Sequence, residues 1–189
     1  TNMLADSVCA MDKGPLKDFQ MTELEKYELE VAAWLHDCGK ITTPEYVVDK
    51  GTKLETIFDR IQIVDNRFEI LKRDAEIEAL KRLLATGNSS DVGLDQDPEY
   101  QQRLRWIDDS QKFIRSCNIG GEAISDEDTA RIDEIARETL SSSTATEEAL
   151  LTEDESQNLK IGRGTLSVRE REIINNHVSV TIKMLESLP

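Results

Sequence analysis

Three cysteines, four prolines and nine glycines are all that 189 residues contain, and aromatic side chains make up only 5%. Cys9, Cys38 and Cys117 are an odd, scattered set without a C-x-x-C pair, which sets a disulfide framework aside and points to a reducing compartment. So few turn-formers and aromatics argue against a β-sandwich or barrel. No apolar run approaches the roughly 20 residues of a membrane span, and no basic start leads into an apolar stretch of the signal-peptide kind. Positive charge is also short: 38 acidic residues face 23 basic ones, for a net charge of −15. That sign repels phosphate backbones and anionic lipid, so neither a nucleic-acid polymer nor a membrane surface is an expected partner. Cytoplasmic placement is expected. The chain opens on Thr1 and stops at Pro189 just after a helical pattern, so a piece of a longer polypeptide is expected too.

What the chain does have is helical periodicity, without internal repeats or convincing strands. Met3, Leu4 and Val8 predict a short helix ended by Asp12-Lys13-Gly14-Pro15. Thr22 and Glu25 form a T-x-x-E capping box. It opens a helix with Leu24, Tyr27, Val31 and Leu35 on one face, which Ala32, Ala33 and Trp34 widen into a buried element that stops at Gly39. Ile41 to Leu54 reads as an extended connector. Ile57, Ile61, Val64, Phe68, Leu71 and Ala75 form a coiled-coil-like seam that Glu78 breaks. Residues 86–98 read as a polar loop, and Tyr100, Leu104, Ile107, Ile114 and Cys117 as a second stripe closed by Gly120-Gly121. The seam's partner is either this stripe or a second chain, which would make a homodimer. Ser125 and Asp128 cap a helix through Ile132, Ile135, Ala136 and Leu140. Residues 141–158 are rich in Ser and Thr, acidic and free of basic residues, the composition of a flexible linker. Ser167 and Glu170 open a last helix with Ile173, Ile174, His177, Thr181, Leu185 and Leu188 on one face. The expected class is all-α.

The dense chemical signal is His36-Asp37 followed by Gly39 and Lys40. Imidazole nitrogen and carboxylate oxygen are both good ligands for Zn, Mn or Fe. An ion there would polarise a phosphoryl oxygen and acidify a water, with Lys40 as a fixed positive charge facing an anionic substrate. The plainer alternative is a surface His-Asp pair at a helix C-terminus, with Lys40 complementing the helix dipole. His177 is the one other histidine. It is either a hydrogen-bonded core residue or a third ligand, if its helix packs against the one ending at Asp37. Weaker signals fall away. Cys38 and His36, at offset two, point apart on a helix. Gly162-Arg163-Gly164 lacks the strand and G-K-S/T ending of a phosphate loop. Asp95, Asp97 and Glu99 lack the central Gly and closing Glu of a calcium loop. Asn88-Ser89-Ser90 is a chance glycosylation match.

Leu35 to Lys50, L-H-D-C-G-K-I-T-T-P-E-Y-V-V-D-K, resembles the start of the HD-GYP family of metal-dependent phosphodiesterases, part of the wider HD phosphohydrolase superfamily. Leu166-Ser167-Val168-Arg169-Glu170 and the stretch to His177 resemble the family's next block. The likeness spans roughly residues 20–54 and 164–189. In typical members the blocks nearly adjoin, whereas residues 55–163 separate them here, and the family's later double-His and Gly-Tyr-Pro segments are not in this chain. The resemblance implies an HD-type helical core, 1–54 and 164–189, interrupted by a helical insertion over 55–163. It also implies a bacterial signalling protein, governed by a sensor domain, that hydrolyses the cyclic dinucleotide cyclic di-GMP. Its metal ligands would be His36, Asp37 and His177, holding a di- or trinuclear centre of iron or manganese, with zinc or magnesium as alternatives. Asp37 and Lys40 would be the catalytic residues. Two other readings stay open: another HD phosphohydrolase acting on nucleotides, and a non-catalytic helical signalling module that binds partners through the insertion.

Overall fold

Thr22 Oγ1 accepts a hydrogen bond from the Glu25 N–H at 3.2 Å, and the Glu25 carboxylate accepts one from the Thr22 N–H at 2.7 Å. This reciprocal cap satisfies two donors that a helix start leaves orphaned. Ser125 with Asp128 and Thr152 with Glu155 close in the same way. Asp97 caps through the Glu99 and Tyr100 N–H groups, with Pro98 in the first turn, where its missing N–H costs nothing. In the computed structural model, which describes residues 1–85, 93–121, 123–141 and 148–187, these caps open four of the elements that follow.

In chain order they are α1 (Asn2–Cys9), α2 (Glu23–Leu35), a 3-10 turn (Cys38–Thr42), α3 (Glu45–Val48), α4 (Ile61–Ala85) and a second 3-10 turn (Leu94–Gln96). Then come α5 (Pro98–Asn118), α6 (Asp126–Ala136), β1 (Thr139–Leu140), β2 (Glu148–Ala149), α7 (Glu153–Leu159), α8 (Val168–Asn175) and α9 (His177–Glu186). The protein is mostly helical, as expected. The exception among the described residues is the pair of two-residue strands, antiparallel with Thr139 opposite Ala149. No helix among those residues is long and apolar enough to cross a membrane. The chain divides into two units, one of Thr1–Val48 with Arg169–Pro189 and one of Asp49–Val168.

The second unit holds the apolar core. Val64, Phe68, Leu71 and Ala75 of α4 are buried with Ile107, Ile114 and Cys117 of α5. Ile132 and Ile135 of α6, with Leu54, Leu140, Leu150, Leu151 and Leu159, complete the cluster. The seam on α4 therefore finds its partner in α5. Two details differ from the periodicity. Ile57 is 94% exposed and precedes the helix, because Asp59 accepts from the Ile61 N–H and sets the start there. Glu78 does not end it either: one exposed carboxylate leaves the stripe intact, and Ala79 is fully buried.

Residues 41–54 are not one extended connector; the end of the 3-10 turn and α3 occupy six of them, with Val47 buried. Asn118, at the end of α5, holds the following segment. Its Oδ1 accepts from the Leu54 N–H at 2.8 Å, its backbone carbonyl accepts from Lys53 at 2.9 Å, and its Nδ2 donates to Asp59 at 3.0 Å. Gly120 has φ +72°, and a Cβ there would stand 2.9 Å from Thr165, so glycine meets both a left-handed turn and a close approach.

The expected linker over 141–158 is corrected for its described part. Leu150 and Leu151 enter the core, α7 occupies 153–159, and Glu155 is only 2% exposed, bonded to Arg67 at 2.6 Å. The Ser, Thr and acidic side chains of that stretch are caps and outer faces, while the few leucines and one glutamate pay for its order. Residues 142–147 lie outside the described residues, as do 86–92 of the expected loop at 86–98. The remainder of that loop carries the Leu94–Gln96 turn and the Asp97 cap.

In the first unit, α2 is not a buried helix. None of its residues is buried, and Trp34 is 80% exposed. Its apolar residues are spread around the helix, and α1 packs on one side of it, with Lys26 paired to Asp6 at 2.9 Å. The expected last helix is two, α8 and α9, separated at Asn176; Leu188 lies outside the described residues.

Lys53 gives a test in the second unit. Its side chain is fully buried, and Nζ donates to the Leu159 carbonyl at 2.9 Å. Desolvation pushes its ammonium below the ordinary lysine range, against the smaller opposing pull of Cys117 and Asp128. Between that lowered value and the ordinary one near 10.4, the unfolded chain holds a proton that the folded one has lost, so stability from this group rises with pH. Burial raises the Cys117 thiol and adds the opposite slope. Urea titrations from neutral to alkaline pH should therefore show Lys53→Met gaining least, relative to the unaltered protein, at the alkaline end. A pH-independent difference would mean that Lys53 stays charged.

Candidate metal centre

Leu35 ends α2, His36 keeps helical dihedrals as its cap, and Asp37 (φ −112°, ψ 8°) leads into the tighter Cys38–Thr42 turn. In a 3-10 turn, residues three apart eclipse each other, which sets Lys40 over Asp37. The Lys40 N–H donates to the Asp37 carbonyl at 2.9 Å, and its ammonium donates to Asp37 Oδ2 at 2.7 Å. Gly39 is buried, and its N–H donates to Thr181 Oγ1 of α9 at 3.0 Å. A Cβ on Gly39 would stand 2.1 Å from the His177 carbonyl oxygen and 2.6 Å from the Thr181 nitrogen. Gly39 is therefore there for close approach; its φ is not positive, and α2 already ends at Leu35, ahead of the stop expected at Gly39.

That approach carries His177 to the His36-Asp37 pair. His36 Nε2 stands 3.3 Å from Asp37 Oδ2, and His177 Nε2 stands 3.3 Å from Asp37 Oδ1. The other ring nitrogens are spoken for: Nδ1 of His36 meets the Ala33 carbonyl at 2.7 Å, and Nδ1 of His177 meets the Ile174 carbonyl. A carbonyl only accepts, so each Nδ1 carries the hydrogen and each Nε2 faces one oxygen of the carboxylate. Backbone bonds that fix the tautomer are also how metal-binding histidines are oriented.

Lys40's hydrogen bond, with the charges of His36, Lys40 and His177, holds the Asp37 carboxyl below the usual aspartate range, against partial desolvation. The site stays ionised at neutral pH.

Imidazole nitrogen and carboxylate oxygen are donor types that divalent ions accept. Ligands held at about 2.1 Å with 90–110° between them stand roughly 3.0–3.4 Å apart, the range of both nitrogen–oxygen separations here. The set is open, not a cage. The imidazoles lie on different oxygens of Asp37, and among the described residues no group of three or more His, Cys, Asp or Glu side chains is arranged so that it could hold a metal ion. Sequence reading named all four polar side chains but not the role of Thr181, whose spacing of four from His177 is the signal that places it on the same face. Asp97 of the weak calcium pattern is spent on capping α5 and pairing with Arg82. Asn88-Ser89-Ser90 lies outside the described residues. No family model, no curated protein and no solved structure matches this chain.

Proposed function

We propose that His36, Asp37 and His177 hold a divalent metal ion in a phosphohydrolase of the HD type, with iron or manganese preferred over zinc or magnesium. The first unit is the HD-like core and the second its helical insertion, in a bacterial signalling protein that cleaves the phosphodiester of cyclic di-GMP. The observation that supports this most is the pair of Nε2 atoms turned to opposite oxygens of one carboxylate, each ring locked by its own helix carbonyl. The ion, when bound, supplies charge that polarises a phosphoryl oxygen and acidifies water. His36 and His177 would present ring nitrogen, Asp37 would bring the compensating charge, and Lys40 would offer an ammonium to the phosphate oxygens. Thr181 holds the turn in register through Gly39. The rival, a non-catalytic helical module, draws on the Lys40–Asp37 pair, which neutralises the carboxylate with no metal present.

Elemental analysis after loading with Mn or Fe, run beside cyclic di-GMP hydrolysis, tests the reading. Metal is expected to be retained by this chain and lost in both His36→Ala and His177→Ala. Hydrolysis by the chain alone is not expected, because three side chains furnish neither a second ion nor a pocket that positions the phosphodiester. Retention of metal after His177→Ala would make that histidine a core residue and favour the rival.

A further inference from the structure

Apolar residues stand on two sides of α2, and α1 packs against only one of them. Leu29 and Ala33 are half-buried, Leu29 shares an apolar cleft with Leu4, Ala5 and Val8 of α1, and Lys26 on the same side pairs with Asp6. Leu24, Tyr27, Val31 and Trp34 lie on the other side, at spacings of three, four and three, within about 80° of arc at 3.6 residues per turn. That is the seam spacing of a helix that pairs with another helix. Leu24 is 67% exposed, Tyr27 63% and Trp34 80%, with Val31 half-buried. We propose that this stripe of α2 is the docking surface for an amphipathic helix of a partner protein that carries lysine or arginine beside its own apolar seam. The proposal makes no use of the metal reading above.

The flanks of the stripe decide what covers it. Glu28 borders it on one side and Glu23 and Glu30 on the other, all three exposed. Lys26, the one basic residue of α2, is turned to Asp6 and reaches Glu23 only at 3.7 Å. A second copy of the chain would set these carboxylates against each other. A parallel pair brings Glu23 to Glu28, an antiparallel pair brings Glu30 to Glu23 and Glu28 to Glu28, and like charges along a seam destabilise it. Basic flanks turn the same contacts into ion pairs and steer the encounter. The carboxylates also exclude an anionic lipid surface. Leu24, Tyr27 and Trp34 together leave roughly 500 Å² uncovered, on the scale of about 150–250 Å² for each aromatic side chain. That is less than the roughly 800 Å² per partner of a stable interface, so a Kd on the order of 10–100 µM is expected.

The probes are two synthetic peptides of about three heptads with the same leucine seam, one flanked by lysine and the other by glutamate. Each is titrated against the full chain by fluorescence anisotropy. The lysine peptide is expected to bind about tenfold or more tightly than the glutamate peptide, and Leu24→Gln with Trp34→Gln to weaken it about tenfold. Both substituted residues are exposed, so the fold does not depend on them. Glu28→Lys with Glu30→Lys should reverse the preference between the peptides. Glu76→Lys with Glu134→Lys makes the same change of charge at exposed positions of the second unit and should leave the preference intact. An equal response to the two charge reversals would overturn the proposal, since the peptide would then be sensing the net charge of −15 and not the stripe. Equal binding of the two peptides, or binding of neither, would overturn it as well. A dimer in sedimentation that Trp34→Gln dissociates would give the stripe to a second copy instead.

Discussion

Gly39→Ala is expected to cost the first unit about 2–4 kcal/mol, the upper range for forcing atoms into a packed contact. The added carbon would lie 2.1 Å from the His177 carbonyl oxygen and 2.6 Å from the Thr181 hydroxyl and backbone nitrogen. Two of those three neighbours are backbone, so relief requires α9 as a whole to move away from the Cys38–Thr42 turn. Such a shift carries His177 from Asp37 and breaks the Gly39–Thr181 bond. Unfolding followed by hydrogen exchange should show α9 amides losing protection while those of α4 and α5 keep theirs, and metal binding should fall in the same variant. Thr181→Ala serves as the milder partner: it removes only the acceptor, at about 1 kcal/mol. Full stability of Gly39→Ala would mean that α9 does not sit on the turn as described.

A loss of about 3–5 kcal/mol is expected in the second unit from Glu155→Ala, because it leaves the Arg67 guanidinium facing a nearly buried space with no anion. Glu155 lies at the third position of α7, where its carboxylate also accepts from the Thr152 N–H at 2.9 Å, so the substitution removes half of a capping box as well. Denaturant midpoints measure the loss. The double variant Arg67→Met with Glu155→Leu should recover most of it, since replacing a buried ion pair by apolar groups is often neutral. In the unaltered protein, proteolysis should spare 148–159. Early cleavage inside α7, or an unchanged midpoint for Glu155→Ala, would restore the reading of this stretch as a linker.

That stretch shows where composition misleads. Its Ser, Thr, Asp and Glu residues outnumber its leucines, yet Leu150, Leu151 and Leu159 are the ones that reach the core. The T-x-x-E signature at Thr152 and Glu155 is as visible as the one at Thr22 or the S-x-x-D at Ser125, but a box announces only a local start. Whether the helix persists depends on what the leucines and Glu155 meet on α4 and α5. Trp34 is the converse case. Its apolar neighbours suggest burial, and the fold leaves it exposed because no described element covers that side of α2.

By itself the sequence determined what short-range physics decides: the helical class, the starts at Thr22 and Ser125, the stripe from Val64 to Ala75, and the His36-Asp37-Lys40 cluster. Caps and periodicities act over three or four residues, so their meaning survives without a fold. The pairing of α4 with α5, the burial of Lys53, Glu155 and Asn118, the use of Gly39 as a point of contact and the arrival of His177 at Asp37 were decided only by the tertiary structure. Each of these joins residues far apart in the chain. Their free energy comes from desolvation and close packing, quantities that do not exist until the partner surface is in place.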